Sequence, residues 1–359
     1  MSAKSVLVVA SLALSIIIGV VLGGRGSAAV KAGPAAAHRV TIGLSLDTLK
    51  EARWAKDRDA FEKRAAELGA EVTVLSANSD DSTQIKDIES LITSQVDVIV
   101  IVPHDGKAMA KGAELAHAAG IPVIAYDRLI SGPDVDLYVT FDNVRVGALQ
   151  AEYVLSQFEG RPRDQPIKLV RIYGSKTDNN AFMFKQGQDQ ALEKAIAEGR
   201  VQVLHEDWAD DWKPENAKRI MNAALTKFGG EIEAVLASND GTAGGAIQAL
   251  REEGVAGKVI VTGQDAELVA CQRIVSGEQS MTIYKPVEQL AARATEVALA
   301  LAKGRPVIAT ASTNNGSRDV PSIFHDVVTV TQENIDQTVI ADGFHPREAI
   351  YGAAAEPAP

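Results

Sequence analysis

A single cysteine, Cys271, occurs in 359 residues, so no disulfide can form within the chain and no cysteine metal cluster is possible. It falls in a helical apolar pattern with Leu268, Val269, Ile274 and Val275, which suits a buried, inert thiol. The six histidines, His38, His104, His117, His205, His325 and His345, are scattered without ligand spacing. The zinc-binding HExxH pattern, the GxSxG nucleophile elbow, the phosphate-binding P-loop and the GxGxxG dinucleotide turn are all missing. No metal and no cofactor are therefore expected. Basic character is also short: the formal net charge is -11. An acidic surface repels DNA and anionic lipid, which disfavours a nucleic-acid partner.

What is present begins with an export signature. Lys4 precedes an apolar run from Val6 to Leu22, followed by small residues including Ala28, Ala29 and Ala35 to Ala37. A positive end, an apolar stretch and a small-residue region read as a secretory signal, with cleavage after Ala29 or after Ala37. An uncleaved anchor is the alternative, because the run approaches the roughly 20 residues that span a bilayer. Either way, residues 1–38 stand apart as signal or anchor with linker, and the rest works in the periplasm or otherwise outside the cytoplasm.

From Arg39 onward, strand-like and helix-like stretches alternate. Apolar runs at Val40 to Leu46, Val72 to Ser76, Val96 to Val102, Ile121 to Tyr126 and Leu137 to Phe141 predict strands. The almost wholly apolar VDVIVIV segment suits a strand covered on both faces. The rhythm then restarts, with strands at Ile167 to Tyr173, Val201 to His205, Ala234 to Ala237, Val259 to Thr262 and Met281 to Tyr284. Helices between them, and a last long one from about Glu288 to Leu301, specify an α/β fold of two doubly wound parallel-sheet domains. Asp142-Asn143 joins the two sets without Gly/Ser filler, which suggests a hinge rather than a tether. The C-terminal AAAEPAP reads as a frayed tail.

Open parallel sheets bind ligands beyond the carboxyl ends of their strands. The residues following the strands here include Asp47, Arg53, Trp54, Asp127, Arg128, Asn143, Asp178, Asn180, Trp212, Asn239, Gln264, Asp265 and Lys285. Uncharged polyols need such a mixture, because every hydroxyl both donates and accepts. A Trp face covers the C–H side of a sugar ring. Any single Asx at a strand end can instead be a helix N-cap. Paired carboxylates such as Asp210-Asp211 could serve a glycosidase, but acidic loop residues are far more often solvated or caps.

Segments of this sequence resemble the periplasmic sugar-binding proteins of ABC transporters from about Arg39 to Phe344. They include ARWAKDRDAFEKRAAELGA, VIAYDRLI, FDNVRVGALQAE, GSKTDNNA, WADDWKPENA, ASNDGTAGGAIQAL, VTGQDAEL, TIYKP and NNGSRDVPS. The resemblance implies a type I periplasmic-binding fold with a three-stranded hinge crossed at Asn143, about Lys285 and about Asn314. One lobe is then 39–143 plus 286–314, the other 144–285 plus 315–350, and 351–359 is tail. It implies a sugar held by Arg53, Trp54, Asp127, Arg128, Asn180, Trp212, Asn239, Asp265 and Lys285. Trp208 competes with Trp212 for the stacking role, and Asn143 is a further contact at the crossover. No calcium is expected, because Glu159 to Lys168 lacks alternating acidic ligands.

The segments WADDW and ASNDGTAGG favour D-xylose as the monosaccharide, with a multiple-sugar (glucose, galactose, arabinose) binding protein as the alternative. The expected partners are this sugar, an ABC transporter permease and, as a second candidate, a chemotaxis receptor. The chain is expected to act as a monomer and not as an enzyme. A sugar-sensing transcription regulator would need a DNA-binding segment before Arg39, where the export signal stands. A secreted sugar-processing enzyme is the remaining competitor.

Overall fold

The computed structural model describes residues 38–132 and 134–352. The expected export signal or anchor, apart from His38, and most of the expected tail lie outside the described residues.

The first βα set consists of β1 (Thr41–Leu46), α1 (Ala52–Glu67), β2 (Glu71–Ser76), α2 (Asp81–Thr93), β3 (Val98–Ile101), α3 (Ala110–Ala118), β4 (Val123–Tyr126) and β5 (Leu137–Phe141). Strands β3, β4 and β5 are buried at every position, as their apolar runs require when helices cover both faces. Helix α1 buries Arg53, Trp54, Asp57, Phe61 and Ala65, one face at helical spacing. That face is apolar toward its C-terminal end and charged at the end nearest the site. Helix α2 starts where Asp80 accepts from the Thr83 N–H at 2.7 Å.

The second set is α4 (Asn143–Gln157), β6 (Ile167–Tyr173), α5 (Asn179–Ala197), β7 (Val201–Trp208), α6 (Pro214–Phe228), β8 (Ala234–Ala237), α7 (Asp240–Glu252), β9 (Ile260–Val261), α8 (Leu268–Val275) and β10 (Thr282–Tyr284). Helix α9 (Val287–Ala302) returns to pack on α1, and β11 (Ala311–Asn314), β12 (Asp319–His325), β13 (Val328–Val330) and α10 (Arg347–Tyr351) follow.

One sheet has the order β11-β12-β5-β4-β3-β1-β2, and another β7-β6-β8-β9; β10 and β13 form a separate antiparallel pair. Apart from the antiparallel edge strand β11, both larger sheets are parallel. The strand order reverses between β1 and β3 in one sheet and between β6 and β8 in the other. Loops diverge at such switch points and leave a crevice at the carboxyl ends.

Two expectations need correction. Strand β12, which the expected bounds give to the second lobe, instead pairs with β5 from Ser322↔Tyr138 to His325↔Phe141. Residues 315–325 thus sit with the first sheet. Strand β7 also runs on through Trp208 rather than ending at His205, because an edge strand tolerates the charged Glu206 and Asp207.

Glycines set the approach of α4 to α5. A Cβ on Gly147 would lie 1.9 Å from the Phe184 carbonyl oxygen, and one on Gly187 would lie 1.9 Å from that of Val144. The helix backbones touch there, which places the first turns of α4 and α5, with Asn143 and Asn180, side by side.

Candidate functional site

The side chains beyond the strand ends converge on one narrow cleft. Arg53, buried in the first turn of α1, is gripped from three sides. Its Nε donates to Asp57 Oδ2 (3.2 Å), its Nη2 to Asp127 Oδ2 (2.9 Å), and its Nη1 lies 3.5 Å from Asp265 Oδ1. Its guanidinium sits 4.1 Å from the centre of the Trp54 ring, and that of Arg128 sits 5.2 Å from the same ring. Stacking and ion pairing together leave Arg53 little freedom, so its donors are oriented before any ligand arrives.

Asp127 follows β4 with φ at +60°, a left-handed conformation that costs a non-glycine residue roughly 1–3 kcal/mol. Its carbonyl is held by three donors: Tyr138 Oη (2.9 Å), Thr140 Oγ1 (2.8 Å) and Asn180 Nδ2 (3.1 Å). The surroundings therefore fix the strained turn. Burial pushes the Asp127 carboxyl up, but Arg53, Lys285 and Arg128 outweigh it and hold the pKa below its ordinary value. In Asp57 burial wins over Arg53, and its carboxyl is raised. Asp57 also accepts from the Tyr126 hydroxyl.

Arg128 donates through Nη1 to Asp47 Oδ2 (2.7 Å) and the Pro103 carbonyl (3.2 Å), and its Nε lies 3.0 Å from Asp178 Oδ2. Lys285, just after β10, places Nζ 2.9 Å from Asp265 Oδ1 and 4.0 Å from Asp127 Oδ2. Asp265 also has positive φ, +97°, and its N–H donates to the Ile283 carbonyl at 2.8 Å. Two left-handed aspartates thus face the same arginine and lysine.

Trp212 arrives on a turn in which both Asp211 and Trp212 have positive φ. Its ring lies against Gly174, where a Cβ would meet it at 2.0 Å, and meets Phe184 edge-on with centroids 6.2 Å apart. Trp212 Nε1 and Gln264 Oε1 are buried and have no hydrogen-bond partner among the described residues. Buried polar atoms are normally satisfied, so an unpartnered donor and an unpartnered acceptor on one cleft point to a ligand that both donates and accepts. Asn239 caps α7, its Oδ1 accepting from the Thr242 N–H at 2.8 Å, which leaves its Nδ2 for the cleft.

Arg53, Trp54, Asp127, Arg128, Asn180, Trp212, Asn239, Asp265 and Lys285 all line this cleft. Asn143 does not. It sits behind, donating to Asn180 Oδ1 at 2.9 Å and to Thr140 Oγ1 at 3.3 Å, and so orients Asn180 rather than the cleft surface. Trp208 stacks instead between Tyr173 and Phe182, with centroids 4.8 and 4.7 Å away. Glu51, Asp178, Phe184 and Gln264 also line the cleft but were not among the expected contacts. Phe184 lies one turn after Asn180 on α5, and helical spacing alone would have placed it there. The cavity is small, about 30 Å³, room for a water or two rather than a sugar ring.

The sequence matches the family described as periplasmic binding protein domain over residues 42–306. It is 46% identical over 326 residues to a D-xylose-binding periplasmic protein of Haemophilus influenzae, covering 91% of this chain and 96% of that one. It is 45% identical over 309 residues to a D-xylose-binding periplasmic protein of Escherichia coli, covering 86% and 92%. A carbohydrate transporter solute-binding protein from Chloroflexus aurantiacus, solved in complex with D-glucose, superposes with a TM-score of 0.81 at 34% identity, covering 87% of this chain and 98% of that one.

Proposed function

The chain belongs to the periplasmic binding protein family, type I in fold, and on that premise we propose that it captures one monosaccharide, D-xylose, outside the cytoplasm and presents it to an ABC transporter permease. It is a transport binding protein, not an enzyme. The observation that carries the sugar reading is the cleft itself: buried carboxylates, guanidinium groups, a lysine and amides, with Trp212 Nε1 and Gln264 Oε1 unpartnered among the described residues. Such a wall suits a ring carrying hydroxyls on every side. D-xylose is favoured over glucose by the names of relatives at 45–46% identity, against 34% for the glucose-bound structure.

We take the two lobes to be 40–142 with 286–325 and 143–285 with 326–352, following sheet membership and the packing of α10 on α8. Arg53, Asp127 and Arg128 then belong to one lobe, and Asn180, Trp212, Asn239 and Asp265 to the other. Lys285 ends the strand that crosses between them. The lobes must part to admit a ring into so small a cavity. On closing, the sugar takes over contacts that Arg53 and Lys285 now make with Asp265. Closure is favoured to the extent that the sugar binds the closed form more tightly than the open one. The closed surface then docks on the permease, and the chain acts as a monomer; a chemotaxis receptor would read the same surface.

Titration with D-xylose is expected to change the fluorescence of the cleft tryptophans saturably, and proton NMR of the sugar is expected to show it chemically unchanged. Turnover of the sugar, or no saturable response, would overturn this reading.

A further inference from the structure

The two proposed lobes also touch through groups that need no ligand. The Gly106 N–H donates to the Thr177 carbonyl at 3.2 Å, and Asn180 Nδ2 to the Asp127 carbonyl at 3.1 Å. A third such contact is ionic and buried. Arg128 Nε and Asp178 Oδ2 stand 3.0 Å apart, with side chains 9% and 3% exposed. From its own lobe, Arg128 is already held by Asp47, whose other carboxylate oxygen lies 3.0 Å from Nδ1 of the half-buried His104. A chain of charge thus runs His104, Asp47, Arg128, Asp178, and crosses from one lobe to the other only at its last link.

Asp178 has a second duty. Its Oδ1 accepts the Asn180 N–H at 2.9 Å and caps α5. Each oxygen therefore does one thing: one starts a helix, the other meets Arg128. Burial raises the Asp178 carboxyl above its ordinary value, and Arg128, followed by the Asn180 N–H, pulls the other way. When the lobes part, Asp47 stays with Arg128, whereas Asp178 leaves and is hydrated.

We propose that Asp178 is the closure latch of this protein: a positioning residue on the second lobe that holds Arg128 in its cleft-facing pose once the lobes meet, and so slows sugar release. The geometry gives it no role in the first encounter, because in an open form it is away from Arg128. Its effect therefore falls on dissociation rather than association. The consequence for release rests on the sugar-binding reading, whereas the latch itself does not.

The variant Asp178→Asn separates the two duties, because asparagine caps a helix as well as aspartate does but carries no charge. Fluorophores on Glu89→Cys and Glu193→Cys, one exposed site on each lobe, report lobe separation, and the buried Cys271 does not compete for label. In sugar-free protein, Asp178→Asn is expected to raise the open-to-closed ratio at least several-fold. With D-xylose in stopped flow, dissociation is expected to speed by about ten-fold, with association unchanged within two-fold. An unchanged open-to-closed ratio and release rate would mean that Asp178 is only a helix cap, and would overturn the latch. Loss falling on association would make it a direct sugar contact and overturn it equally. Wild-type protein that binds no xylose sinks the functional reading, while the sugar-free distance change still decides the latch.

Discussion

Asp265→Asn is the substitution whose consequences the geometry defines best. Asp265 stands at φ +97°, where asparagine is tolerated and alanine is not, so the amide keeps the turn and removes only the charge. The carboxylate lies 2.9 Å from Lys285 and 3.5 Å from Arg53. In the proposed complex it accepts from sugar hydroxyls instead. A hydrogen bond to a charged group contributes about 1.5–3 kcal/mol and one to a neutral group about 0.5–1.5 kcal/mol. A carboxylate accepting from two neighbouring hydroxyls therefore loses about 2–3 kcal/mol, a roughly 30- to 150-fold rise in Kd. Without sugar, Lys285 and Arg53 both keep Asp127, and an open cleft hydrates them, so the melting temperature should fall by only a few degrees. Calorimetric titration with D-xylose, paired with thermal melts of the sugar-free protein, measures both quantities. A Kd within three-fold of wild type would refute the contact, and loss of the sugar-free fold would make Asp265 a structural counter-ion instead.

Gly174→Ala puts a methyl into the Trp212 ring, so the indole must swing off its seat; we expect at least ten-fold weaker sugar binding with a near-normal melt, and unchanged affinity would show that Trp212 does not touch the sugar. Gly187→Ala drives a methyl into the Val144 carbonyl and separates α4 from α5; it should cost about 1–3 kcal/mol, seen as a lowered denaturant midpoint, and a neutral result would refute the close approach. Glu267 is pushed up to about 7 by burial first and by Asp265 second, from an ordinary 4.5. The unfolded chain then ionises before the folded one, so stability falls as pH rises from about 4.5 to about 7. Glu267→Gln should flatten that part of the stability profile, and an unchanged slope would contradict the assignment. His104 is raised above its ordinary 6.5 by its hydrogen bond to Asp47, which outweighs burial. Its contribution is complete below pH 6.5 and is lost as pH climbs through the folded value; His104→Gln should remove that decline.

The apolar runs of β1 to β5 and the βα rhythm were legible because burial on both faces writes itself into consecutive Val, Ile and Leu. The C-terminal strands were not. Strand β12, DVPSIFH, contains Pro321 and exposed Phe324, and it is a strand only because it pairs with β5, far earlier in the chain. Helix α4 is less legible because its buried face mixes Asn143, Gly147 and Gln150 with Val146, Ala151 and Val154, which blunts the amphipathic contrast. Within the cleft, Asp178 and Gln264 stood in plain sight at strand ends. Nothing local separates a cap from a cap that also forms an ion pair across the cleft, because Arg128 lies fifty residues away from Asp178 in sequence. Asn143 shows the converse: correct in neighbourhood, it reaches the cleft only through Asn180. The step from a polyol to one sugar is the least local of all, since the same donors and acceptors serve several monosaccharides.

Calorimetric titration of the sugar-free protein against D-xylose, D-glucose, L-arabinose, D-ribose and D-galactose addresses that step directly. One site per chain, with D-xylose the tightest ligand, is the expected result. Glucose or ribose binding ten-fold more tightly than xylose, a gap of about 1.4 kcal/mol, would contradict it.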